Sequence, residues 1–592
     1  MSVEPLSPPS HSKLALIFPP AMHPGGPPLG LASLQAFLKS QDYKGSIQSF
    51  DLNMAHFNQA LRWLADGRLK MSLRKMSHES TAREVLDVCR FFRGDEGLDA
   101  FLDLSTYNGK ASLYRSFETV LGALFENFAR RIVAGLPVPS LVRSYFNELL
   151  APVRAYRPTL AGLSILYSQQ LYFALAIAGY LKEDGAKIVA GGATLSVMPH
   201  PERLLSEPIM TRVGKEHHAV HSSRFLDYLI VGEGEIGLNA LANYIEVSRH
   251  ASGAGGKLGL DSESKPPGDL SRVEGLVYLE ESRLRVNPPR MVNDLNELPL
   301  PDFDDFALSD YFSPLPVLSY LSARGCFWGR CAFCTHQKTY MAYREEEVEK
   351  TASRLGELKD RYGVRHFNLV DEMIHPHRFH HLARAILSSG LKIDYSAYAK
   401  PTRRFDASLL RTLYSSGARL ILWGVESGSQ RVLDIMQKGT RTVEMERVLH
   451  EAHEAGLWNF LFMMFGFPTE TRQEWNETLT FLQRSKESVD ALSKSRFILL
   501  AGSKVFQSPG DYSITNILSR AQEDPISVAY DYETALGLSR AEAQTLFDET
   551  APKLMNYGRS PYFGQLRDHL LIYASFASSL QREGSIQVTE PT

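Results

Sequence analysis

Apolar residues along this chain fall into two rhythms. Short apolar runs of strand length at 13–18, 46–52, 159–164, 187–190 and 227–231 are separated by segments such as 29–40 and 169–182, where apolar residues recur every three or four positions. Continuous apolar runs suit strands buried on both faces, and the longer spacing suits the helices that cover them. Their alternation predicts a parallel sheet with helices on both sides, a doubly wound flavodoxin- or Rossmann-like α/β unit. Between 55 and 150 only the helical spacing occurs, which predicts a helical insertion.

The second half keeps the same alternation. A polar Gly/Ser/Pro-rich stretch at 250–272 reads as a linker, and 275–287 reads as a hairpin. From 316 onward the pattern strand–loop–helix repeats six times, with strands expected at 316–323, 364–371, 392–400, 419–426, 458–467 and 495–500. Gly363, Gly390, Gly417 and Gly456 close helices between them. Six βα units predict a partial (β/α)6 barrel of TIM type, whose chemistry belongs at the C-terminal strand ends. The expected divisions are 1–250 for the first α/β domain, 251–310 for linker and hairpin, 311–500 for the barrel and 501–592 for a mostly helical C-terminal region.

Composition narrows the class. The chain has 592 residues, 44% hydrophobic and 22% charged, with a formal charge of −3. That balance carries no electrostatic footprint for nucleic acid. The longest apolar runs, 171–181 and 457–468, are too short to span a bilayer. The first twenty residues lack a basic n-region and a long apolar core, so a cytoplasmic protein without a signal peptide is expected. There are four cysteines, too few for a disulfide scaffold, and three of them lie within nine residues.

Those three sit in Arg324-Gly-Cys326-Phe-Trp-Gly-Arg-Cys331-Ala-Phe-Cys334, directly after the first barrel strand. Three thiolates on a short loop can hold three irons of a [4Fe–4S] cluster and leave the fourth iron open to a small molecule. The same residues with His336 also make a Cys3His set for structural zinc. Cys89, in a helical stretch, reads as a buried apolar side chain. The run His375, His377, His380, His381 places His377 and His381 four apart, yet reads foremost as a solvated helix start, and His217, His218 and His221 read as loop residues.

The cysteine loop resembles the cluster loop of the radical S-adenosylmethionine (radical SAM) superfamily, with C-x4-C-x2-C in place of the usual C-x3-C-x2-C. Further barrel motifs carry the resemblance: Leu369-Val-Asp371-Glu372, Trp423-Gly424-Val-Glu426-Ser427-Gly428-Ser429 and Gly466-Phe-Pro468-Thr-Glu470-Thr. It implies that Cys326, Cys331 and Cys334 hold a [4Fe–4S] cluster. It also implies that S-adenosylmethionine is held by Asp371, Glu372, Lys400, Gly424, Glu426, Ser427 and Gly466, although an exposed lysine is the simpler account of Lys400. Glu426 reads equally as a cap for the helix that follows it. An electron donor such as flavodoxin or ferredoxin is a further implied partner. No residue is assigned to catalysis beyond the cofactors.

The first domain resembles the cobalamin-binding domain that precedes the barrel in one branch of the superfamily. Pro27-Pro-Leu-Gly, Gly162-Leu-Ser164, Gly191-Gly192 and Val231-Gly-Glu-Gly-Glu235 carry that likeness, and Gln169, Gly191, Gly192, Gly232 and Glu233 are the implied cobalamin contacts. The histidine motif that supplies a lower cobalt ligand elsewhere, D-x-H-x-x-G, is absent. Cys89 is the sole cysteine of the first domain and none follows Cys334, so at most one cluster is expected. The implied reaction is methyl transfer to an unactivated carbon of a small-molecule or peptide substrate. The alternatives are radical cyclisation or rearrangement without methyl transfer, and a non-catalytic zinc- or corrinoid-binding protein.

Overall fold

The structure, a computed structural model, describes residues 11–20, 22–73, 77–253, 269–336, 340–518 and 528–582. Most of the expected linker lies outside the described residues. The first sheet contains β1 (Lys13–Phe18), β2 (Ser46–Asp51), β3 (Leu160–Ser164), β4 (Lys187–Gly191) and β7 (Tyr228–Ile230), in the order β2-β1-β3-β4-β7 and all parallel. This is the flavodoxin-like order, whose topological switch point lies between β1 and β3. Leu14 to Phe18 are all buried, as a central parallel strand requires.

Two hairpins extend this frame. The expected 275–287 hairpin forms β8 (Leu276–Glu280) and β9 (Arg283–Val286), and it continues the first sheet antiparallel from β7 instead of standing apart as a connector. A separate hairpin, β5 (Pro208–Val213) with β6 (Glu216–His221), places His217, His218 and His221 on a strand and not in a loop. Polar outward positions had hidden its alternation.

The insertion is helical, with helices Leu52–Ala65, His78–Phe92, Leu98–Leu102, Leu104–Val133 and Ser140–Tyr156. The longest buries Tyr107, Ala111, Tyr114, Phe117, Leu121 and Phe125, one stripe at three- and four-residue spacing. Cys89 is buried there, and desolvation pushes its thiol up to about 12.

The second sheet is parallel throughout: β10 (Val317–Tyr320), β13 (His366–Leu369), β14 (Asp394–Ala399), β15 (Ala418–Glu426), β16 (Trp458–Phe465) and β17 (Ala491–Arg496), in sequence order and open between its two edges. A two-stranded clamp, β11 (Ala323–Arg324) with β12 (Arg344–Glu345), ties the two ends of the cysteine segment together. The C-terminal region adds a small antiparallel sheet to its helices: β18 (Leu499–Leu500), β20 (Ala529–Thr534) and β19 (Ile514–Leu518). Phe497, Leu499, Val505, Tyr512, Ile514 and Tyr532 form a second core with Phe467, Met436 and Ala332 of the cysteine loop. The last helix, Arg567–Arg582, packs against β13, β14 and β15. No helix among the described residues is long and apolar enough to cross a membrane.

Candidate active site

The cysteine loop leaves β10 at the C-terminal edge of the barrel and is held from several sides. The Ala332 N–H donates to Met436 O at 2.8 Å, the Val505 N–H donates to Ala332 O at 3.0 Å, and the Trp328 indole donates to Gln437 O at 2.9 Å. Gly439 has φ +68°, and a Cβ there would run into the Trp328 ring. Cys326, Cys331 and Cys334 are free thiols at half-buried positions. His336 is 60% exposed, and its Nδ1 faces the Glu372 carboxylate.

The expected S-adenosylmethionine contacts separate into three groups. Asp371 is fully engaged in building the loop: the Ser322 N–H and hydroxyl donate to it at 2.6 Å each, and the Ala323 N–H at 2.9 Å. Burial outweighs these bonds and raises its pKa. Asp371 therefore braces the start of the cysteine segment, and Glu372 is the half-buried carboxylate beside that segment.

Lys400, expected to be exposed, is 4% exposed. Its ammonium lies 3.4 Å from the Trp328 ring centre and donates to Lys438 O at 3.0 Å. Burial, with help from the Lys438 charge, lowers its pKa to about 8. Glu426 pairs with buried Lys438 at 2.8 Å, so it does not cap the following helix. Burial would lower Lys438, but Glu426 and Cys331 outweigh it and hold it above its ordinary value. Glu426 ends β15 at φ +69°, in the left-handed region, where a non-glycine residue is strained.

The remaining three are packing residues in this structure. A Cβ at Gly424 would meet Lys438 Nζ at 2.7 Å, so that ammonium occupies the space expected for ligand. Ser427 is wholly buried, with its hydroxyl 3.1 Å from Thr478 Oγ1 and accepting from the Ser429 N–H. The Gly466 N–H donates to Glu470, whose other carboxylate oxygen has no partner among the described residues.

On the first sheet, the expected cobalamin contacts also divide. Gln169 is exposed beyond β3, beside Leu166 and Tyr167 at 43% and 47% exposure. Its neighbour Gln170 is buried and ties two strand-end loops together, accepting from the Leu166 and Tyr167 N–H groups and donating to Pro19 O at 2.6 Å. Gly191 ends β4. Gly192 has φ +109°, and a Cβ would meet Ile165 O at 2.5 Å. The Gly232 N–H donates to Ser196 Oγ at 3.0 Å.

Glu233 is taken up by protein partners. It accepts from Arg324 at 2.8 Å, from Arg344, and from the Val292 N–H at 2.9 Å. Glu235 takes the second arm of Arg324. All four side chains are nearly inaccessible, so a buried ion network joins the end of β7 to the residue two before Cys326. Arg324 and Trp328 stand inside the cysteine-loop motif and Lys438 lies nine residues beyond the Trp423–Ser429 motif, yet residue type alone gives none of them a role.

The donor chemistry fits an iron–sulfur cluster. Three thiols share a loop with two buried lysine ammoniums in reach, suited to an anionic cluster.

Residues 320–482 match the radical SAM superfamily model, so the barrel is a radical SAM domain. Over 97% of its length it is similar in fold to the cobalamin-dependent S-adenosylmethionine radical enzyme OxsB with aqua-cobalamin bound, at a TM-score of 0.59 and 15% identity, covering 72% of that chain. It is 23% identical over 346 residues to an uncharacterised methyltransferase of Pyrococcus horikoshii, spanning 57% of this chain and 67% of that protein. It is 28% identical over 252 residues to the 4'-phospho-dehydrooxetanocin synthase of Priestia megaterium, spanning 38% of this chain and 33% of that protein.

Proposed function

We propose that this chain is a cobalamin-dependent radical SAM methyltransferase that alkylates an unactivated carbon. The observation that carries the reading is the orientation of the two ligand-binding edges. The C-terminal loops of the first sheet meet the barrel at its own C-terminal edge and lumen: Glu233 and Glu235 after β7 hold Arg324, and Tyr167 after β3 lies in the field of Tyr398 and Arg567. Ligands on such sheets and barrels lie at those edges. A corrinoid on one and a cluster on the other would then face a shared space.

When bound, a reduced [4Fe–4S] cluster supplies the electron that splits S-adenosylmethionine, and cobalamin supplies the methyl group. The chain's residues do the rest. Cys326, Cys331 and Cys334 hold the cluster. Asp371 and the Trp328–Gln437 bond position their loop. Glu372 is placed to take the methionine ammonium, while Lys400 and Lys438 offset negative charge. An electron donor such as flavodoxin or ferredoxin and a small-molecule or peptide substrate complete the set. The relative from Pyrococcus horikoshii, named a methyltransferase, supports this reading over cyclisation.

Replacing any of the three cysteines by Ala in anaerobically reconstituted protein is expected to abolish reductive S-adenosylmethionine cleavage, read as 5′-deoxyadenosine. Cleavage at the wild-type rate in all three variants would overturn the site.

A further inference from the structure

The last helix, Arg567–Arg582, enters the barrel and packs against β13, β14 and β15. It is held there by the helical insertion of the first domain. His569, fully buried, donates from Nε2–H to Phe312 O at 2.7 Å and accepts at Nδ1 from the Tyr107 hydroxyl at 3.0 Å. The Tyr573 hydroxyl donates to Phe101 O, and Ser560 donates to Asn108 at 2.7 Å. The insertion thus gives the last helix a fixed seat, with its first residues in the barrel lumen.

Those first residues are Arg567 and Asp568. Arg567 donates to the Tyr398 hydroxyl of β14 at 2.9 Å, and its guanidinium lies 5.3 Å from the Phe462 ring and 5.7 Å from the Phe460 ring of β16. Tyr398 and Phe462 stack at 6.0 Å. Among the described residues no carboxylate lies within ion-pair distance of this guanidinium. Its neighbour Asp568 makes its contacts elsewhere: one oxygen accepts from the Asn368 amide and the other lies against Gly25, and burial raises its pKa although the nearby Arg567 charge opposes that rise. A guanidinium set on aromatic faces, with no carboxylate in direct contact, is suited to receive an oxyanion.

The surroundings leave room for a ligand. Phe462 and Met464, two apart on β16, are partly exposed, as are Tyr398 on β14 and Ser493 on β17, although Ala397, Ala399, Met463 and Phe465 are buried. Solvent-accessible inner positions between buried outer ones describe an open upper lumen. Across the opening, half-exposed Tyr167 of the first sheet lies in the field of both Arg567 and Tyr398.

We propose that Arg567 anchors an oxyanion of the substrate, a carboxylate or a phosphate ester, while the apolar remainder lies along Phe462 and Met464 beneath Tyr167. This deepens the reading above and rests on it. The anion would fix one end of the substrate at the last helix and present its other end toward the cysteine loop and the first sheet. A cation held by a phenol and two ring faces recognises the group without prior loss of an ion pair.

The test uses the cluster-loaded holoenzyme and three probes that share a ring: phenyl phosphate, phenylacetate and neutral 2-phenylethanol. Their dissociation constants are measured by saturation-transfer NMR titration. At least one anion is expected to bind roughly ten- to hundredfold tighter than the alcohol, the span of one charge-assisted hydrogen-bond pair. Preference for phenyl phosphate identifies a phosphate ester, and preference for phenylacetate a carboxylate. Arg567→Gln is expected to erase the preference and Arg567→Lys to retain part of it, with thermal unfolding and iron content reporting folding. Equal binding of all three probes by the wild type, or an unchanged preference in Arg567→Gln, would overturn the proposal. Wild-type S-adenosylmethionine cleavage, followed in parallel, tests the underlying reading separately, so the failure of either is seen apart from the other.

Discussion

Glu470 shows how a single side chain can report on the barrel edge. It is fully buried in the turn after β16, and desolvation raises its pKa from 4.5 to about 8. Between those values the folded chain holds a proton that the unfolded chain has released, so stability falls as pH rises across that window. The drop is on the order of 5 kcal/mol at most. Glu470→Gln keeps an acceptor for the Gly466 N–H and removes the titration. Apparent melting temperatures from pH 5 to 9 are expected to fall more steeply for wild type than for Glu470→Gln. Parallel profiles would contradict the assignment. Asp371 teaches a related lesson. Its motif was visible in the sequence, but its carboxylate is committed to Ser322 and Ala323. Residue type and position placed it at the site, and only the hydrogen bonds assign its part.

The strands and helices of both sheets were legible because parallel strands are apolar throughout and their helices repeat at 3.6. Less legible were elements whose logic is not periodic. The β5–β6 hairpin carries Glu216, His217 and His218 and so reads as a loop. The β18–β20–β19 sheet is short, and its apolar residues meet Ala332 of a loop far away in sequence. Close approach of elements sets a further prediction. Gly192 lets the turn after β4 lie on Ile165 after β3, and its φ of +109° excludes other residues. Gly192→Ala is expected to destabilise the first sheet by about 1–3 kcal/mol and to weaken corrinoid retention. Urea unfolding and bound cobalamin measure both effects. An unchanged midpoint with full retention would count against this account of the strand ends.

The relation between the two sheets was the least legible feature of the molecule. Glu233 and Glu235 stand among glycines at a strand end, as ligand-binding residues do, yet their partner Arg324 is 91 and 89 residues away. Nothing local announces such a pair. Arg567 was equally silent, since its place follows from where the insertion seats the last helix. The buried network predicts strong coupling, because removing one member leaves a desolvated charge. Glu235→Gln and Arg324→Gln are each expected to cost about 3–5 kcal/mol, and the double variant less than their sum. An additive double-mutant cycle would show that the network does not couple the domains. Iron content of the same variants tells whether the cysteine loop depends on it.

The facing edges make corrinoid binding the central claim. The direct measurement is the cobalamin retained per chain after anaerobic purification with hydroxocobalamin and removal of the free corrinoid, read from the absorption spectrum of cluster-loaded protein. Retention near one per chain is expected. A chain that keeps about four irons, as a single cluster requires, and cleaves S-adenosylmethionine yet retains no cobalamin would contradict methyl transfer and leave the first sheet as a scaffold for the barrel.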